Sequence, residues 1–95
     1  MKFRVSLEKE NILSFMRRKG YVPEDKTPQG EFVFHRSLGR TFPRFHIYCT
    51  VSAENKSADV NLHLDQKAPS YEGTAAHAGE YEGPLVEREV NRMLQ

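Results

Sequence analysis

"RFHIYCTVSAENKSADVNLHLDQ", residues 44–66, decides how this chain folds. Phe45, Ile47, Cys49 and Val51 alternate with His46, Tyr48 and Thr50. After the turn-like "AENKS", residues 53–57, Ala58, Val60, Leu62 and Leu64 alternate with Asp59, Asn61, His63 and Asp65. Successive side chains of a strand point to opposite sides, so each run carries one apolar and one polar face. Two such runs joined by a short polar turn predict an antiparallel hairpin.

Register then says which polar residues meet. A two-residue turn at Asn55–Lys56 sets His46 opposite Asp65 and Tyr48 opposite His63. Shifting the pairing by two residues sets His46 opposite His63. Because the side-chain period is two, His46, His63 and Asp65 share a face in both cases. Directly opposed Cβ atoms lie ~4.5–5.5 Å apart and diagonal ones ~7–8 Å, close enough for these side chains to touch.

Outward from the hairpin, "EFVFHRSL" (31–38) has the aromatic and β-branched content of a third strand, and "GRTFPR" (39–44) breaks it. With Phe32 and Phe34 turned to the core, His35 joins the polar face. "VPEDKTPQG" (22–30) reads as a Pro/Gly loop. "LEKENILSFMRRKG" (7–20) reads as a helix, with Ile12, Leu13 and Met16 at helical spacing and Gly20 as its stop. Before it, "KFRVSL" (2–7) alternates Phe3, Val5 and Leu7 and allows an extra N-terminal strand. "PLVEREVNRMLQ" (84–95) opens with a proline suited to a first helical turn and has an apolar stripe of Val86, Val90, Met93 and Leu94.

The expectation is an α+β fold in two layers: helix, three-stranded antiparallel sheet, helix. One sheet face lies under the helices and the other is open. At 95 residues this is a single domain spanning 1–95. A long Gly/Tyr-rich loop, "KAPSYEGTAAHAGEYEG" (67–83), carries Tyr-Glu-Gly twice with His77 between, a placement that lets His77 fold back over the sheet.

The lone cysteine, Cys49, excludes an internal disulfide, and its place on the apolar phase makes it a small buried hydrophobe. Neither a signal segment nor a membrane-length apolar run is present, which points to a cytoplasmic setting without membrane partners. The net charge of +1 hides an asymmetry. Residues 1–50 hold ten Lys/Arg against five Asp/Glu (+5), and residues 51–95 hold four against eight (−4).

Imidazoles with a carboxylate are the donor set of zinc and related divalent metals. His46, His63, Asp65 and His77 therefore form the candidate metal site of a small metal-binding domain, extending to a metal-dependent hydrolase. The alternative is a nucleic-acid-binding module, with Tyr48 and His35 stacking on bases while Arg36, Arg40 and Arg44 hold phosphates. A non-catalytic protein-interaction domain is the third reading.

In topology alone, the helix–three strands–helix order resembles the double-stranded-RNA-binding fold and the HicA-type toxin ribonucleases built on it, which implies RNA as a partner. The last helix, "PLVEREVNRML", has no Lys-Lys-x-x-Ala start of the kind such domains set on phosphates, and the toxins' Gly-Ser-His before a strand is absent. Separately, "PRFHIY", "NLHLDQKAPSY" and "HAGEYEG" resemble short bacterial proteins of uncharacterised function with a Phe-His, His-Leu-Asp-Gln-Lys and His-x-Gly-Glu-Tyr series. That resemblance covers the chain from about residue 30 and implies no activity.

Overall fold

The computed structural model describes residues 1–66, 79–80 and 82–95. At its centre β4 (Arg44–Ser52) and β5 (Ser57–Asp65) form the antiparallel hairpin that the alternation predicts. Of the two registers it adopts the shifted one, pairing His46 with His63 and Ile47 with Leu62. Ser52 pairs with Ser57, so the connection is residues 53–56, and Lys56 takes a positive φ of 50° within it.

Around the hairpin, β3 (Phe32–Ser37) pairs with β4 and β2 (Val22–Glu24) pairs with β3. β1 (Lys2–Ser6) pairs with the other side of β5. The order is β1-β5-β4-β3-β2 and every pairing is antiparallel. Beyond the end of β1, a two-residue β6 (Gly79–Glu80) pairs with Leu64 and Asp65 of β5.

The expected three-stranded sheet is therefore corrected to five strands and a short sixth. β1 is the leading strand that the alternation allowed. β2 arises inside the segment read as a Pro/Gly loop, and β6 inside the long loop. Both are too short to show a period of their own, and pairing with a longer neighbour makes them strands. β2 also contains Pro23, whose missing N–H is tolerated because β2 is an edge.

Both helices cover the same sheet face. Phe15 and Met16 of α1 (Ile12–Arg18) and Val86 and Met93 of α2 (Pro84–Met93) join one core with Phe34, Ile47, Leu62 and Leu64 of the sheet. Burying each such large side chain contributes ~1.5–3 kcal/mol, which is what orders the seven-residue α1. Asn11 caps α1 by accepting from the Ser14 N–H at 2.9 Å, and Gly20 leaves it at a φ of +92°.

The two helices also cap each other. Lys19 Nζ donates to the carbonyl oxygens of Arg92 (3.3 Å) and Gln95 (2.7 Å), while Arg92 Nη2 donates to the Lys19 carbonyl at 2.7 Å. These contacts satisfy carbonyls that a helix end leaves open.

The helical stripes differ from expectation at single positions. In α1, Phe15 is buried and Leu13 is exposed. In α2 the buried set is Val86, Glu89, Val90 and Met93, a spacing of three, four and seven, and Leu94 is exposed. Glu89 thus occupies a core position. Among the described residues, no helix is long and apolar enough to cross a membrane.

Candidate metal centre

The open face is built by the strand period. With Phe34, Ile47 and Leu62 turned to the core, their neighbours His35, His46 and His63 must point the other way. The pairings His35–His46 and His46–His63 set these three histidines in one row across β3, β4 and β5. Asp65 lies two residues beyond His63 on the same side, and Glu24 enters from β2.

Carboxylates and imidazoles alternate along this row. His35 Nδ1 lies 3.0 Å from Glu24 Oε2, and the same oxygen lies 3.3 Å from His46 Nε2. On its other side His46 Nδ1 lies 3.2 Å from Asp65 Oδ2, while Asp65 Oδ1 lies 3.0 Å from His63 Nε2. Arg44 Nε approaches Asp65 Oδ2 at 3.7 Å, an ion pair beyond hydrogen-bond length. Its guanidinium sits 4.8 Å from the Phe42 ring.

Tyr48 walls one side of the row. Its ring centroid is 4.9 Å from that of His46, and 5.8 Å from that of His63 with the two planes only 14° apart. Burial pushes the His63 imidazole below its ordinary pKa, against the opposing pull of Asp65. The neutral ring that results is the form that ligates metal.

One donor atom each from His46, His63 and Asp65 lies within 4.8 Å of the other two. Tetrahedral zinc with bonds of ~2.0–2.2 Å needs donors roughly 3.3–3.5 Å apart. The two Asp65 contacts, one from each carboxylate oxygen, are already near that spacing. Two buried polar atoms of this cluster, Arg44 Nε and His46 Nε2, make no hydrogen bond to the described residues. The 3.3 Å approach of Glu24 to His46 Nε2 is close in distance but misses hydrogen-bond geometry, which makes it an electrostatic contact.

The structure therefore brings together His46, His63 and Asp65, three of the four candidate metal ligands. The fourth, His77, lies outside the described residues, as does most of the loop expected to carry it. The candidate nucleic-acid residues divide between faces. His35, Arg44 and Tyr48 lie on the open side. Arg36 lies on the helix side, where Nε and Nη2 donate to Glu89 at 3.0 and 2.9 Å. Arg40 is exposed in the connection between β3 and β4.

Glu24 is the site residue that the sequence did not disclose. Nothing in "VPEDKTPQG" marks one acidic residue over the next, and only the β2–β3 pairing carries Glu24 to the histidines. No protein family, curated protein or solved structure matches the chain.

Proposed function

We propose that the open sheet face binds zinc or another divalent metal, with His46, His63 and Asp65 as the protein donors. One observation carries this reading. The Asp65 carboxylate lies between two imidazoles, with one oxygen at 3.2 Å from His46 and the other at 3.0 Å from His63. Three convergent donors of this kind on a rigid hairpin match the ligand types of catalytic zinc sites, in which a fourth position is left for water or substrate.

Metal-assisted hydrolysis is the activity that such a donor set suits. Space for a substrate adjoins it: an open cleft of about 660 Å³ is bordered by Tyr48, Thr50, Asn61 and Lys2. Tyr48 belongs to both cleft and cluster. A nucleic-acid reading keeps Tyr48, His35 and Arg44 on this face and Arg40 in the neighbouring connection but loses Arg36 to Glu89, and the metal reading is preferred for that reason.

The test is elemental analysis of the purified protein beside a His63→Ala variant, with melting followed with and without zinc. Metal that binds the folded state alone stabilises by about 2.7 kcal/mol at a hundred times its Kd. For a domain of this size that raises the Tm on the order of 10 °C. The wild type should show the rise and His63→Ala should lose it. A wild type that carries no metal and melts unchanged in zinc refutes the reading.

A further inference from the structure

We infer that Glu24 is the outer carboxylate of this centre: when metal binds, its 3.3 Å electrostatic contact with His46 closes into a hydrogen bond from Nε2–H, which directs Nδ1 of that ring to the metal. The inference rests on the metal reading above and adds to it the coordinating nitrogen and the group that selects it.

The His46 ring stands between two carboxylates, with Asp65 Oδ2 at 3.2 Å from Nδ1 and Glu24 Oε2 at 3.3 Å from Nε2. A neutral imidazole carries one N–H, and an ionised carboxylate only accepts. With the hydrogen on Nδ1, the Nε2 lone pair faces Glu24 and two acceptors oppose each other. With the hydrogen on Nε2, the same conflict falls on Nδ1 and Asp65. A metal ion between Nδ1 and Asp65 removes it. Nε2–H then faces Glu24 Oε2, which lies 3.3 Å away and needs only to move into line to accept it.

Glu24 is itself held in place. Its Oε2 also meets His35 Nδ1 at 3.0 Å, and His35 is paired with His46 across β3 and β4. The order outward from the metal is thus His46, Glu24, His35. A carboxylate on the distal nitrogen of a ligating histidine fixes its tautomer and makes the ligating nitrogen more basic. Glu24 meets the centre through His46, so it acts as a positioning residue through that ring.

Two measurements test this on the full chain. The first is zinc affinity by chelator competition for wild type, Glu24→Gln and His35→Ala, with metal-free melting as a control for folding. Loss of an outer carboxylate weakens metal ~10–100-fold, and that is the effect expected for Glu24→Gln. His35→Ala should weaken zinc in the same direction and by less. The second is a long-range proton–nitrogen correlation spectrum of the ¹⁵N-labelled, zinc-loaded wild type, which reads the tautomer directly. His46 should carry its hydrogen on Nε2 and its metal on Nδ1. Metal on Nε2, or unchanged affinity in Glu24→Gln, overturns the inference while leaving the metal site standing. No zinc binding by the wild type overturns both.

Discussion

The Tyr21 hydroxyl donates to Glu89 Oε2 at 2.6 Å, joining the residue after the α1 stop to the buried middle of α2. Glu89 is 3% exposed, and a lone carboxylate at that depth would be strongly disfavoured. It is accommodated by two guanidiniums, Arg36 and Arg92, each bound to both of its oxygens. Removing the carboxylate leaves those cations without their partner. Glu89→Ala should therefore lower the unfolding free energy by about 3–5 kcal/mol, read by urea denaturation. A change within about 0.5 kcal/mol would contradict this role.

Acid should act through the same residue. Burial alone would raise the Glu89 carboxyl, but hydrogen bonds from Arg92, Arg36 and Tyr21 outweigh it and hold the group at about 2. Unfolded, it returns to 4.5, so the folded state binds its proton less readily. The contribution is present above pH 4.5 and is lost as pH falls toward 2. The full drop corresponds to roughly 3 kcal/mol. In urea titrations the gap between wild type and Glu89→Gln should be wide at pH 7 and narrow steadily below pH 4.5. A gap independent of pH would count against the buried ion pair.

Cys49 lies on the core face of β4 at 1% exposure, where burial and then the nearby Glu31 push its thiol up to about 12. Only the thiolate reacts with thiol reagents. The native protein at pH 8 should resist labelling and should take up one equivalent once denatured. Rapid labelling of the native state would place Cys49 on the open face and reverse the strand phasing.

That phasing was readable because every side chain from Phe45 to Val51 and from Ala58 to Leu64 obeys a single period. The same alternation put His46, His63 and Asp65 on one face before any register was known, since both candidate registers preserve it. What stayed hidden depended on distant pairings. Glu24 sits in a three-residue strand that exists only against β3. Arg36 looked like a phosphate ligand beside Arg40 and Arg44, yet its place after His35 turns it to the helix side and onto Glu89, 53 positions away. Glu89 itself could have been suspected. It stands three residues after Val86 and four before Met93, inside the apolar stripe of α2, where a charge needs a partner.

The central claim is tested most directly by calorimetric titration of zinc into the wild type and an Asp65→Asn variant. Asp65 touches both ligating rings, and the amide keeps its shape while removing its charge. The wild type should bind one zinc per chain, and Asp65→Asn should bind more weakly by roughly tenfold or more. A wild type that gives no binding heat in buffers of different ionisation enthalpy, or an Asp65→Asn variant with undiminished affinity, would contradict the assignment of this histidine–carboxylate row as a metal centre.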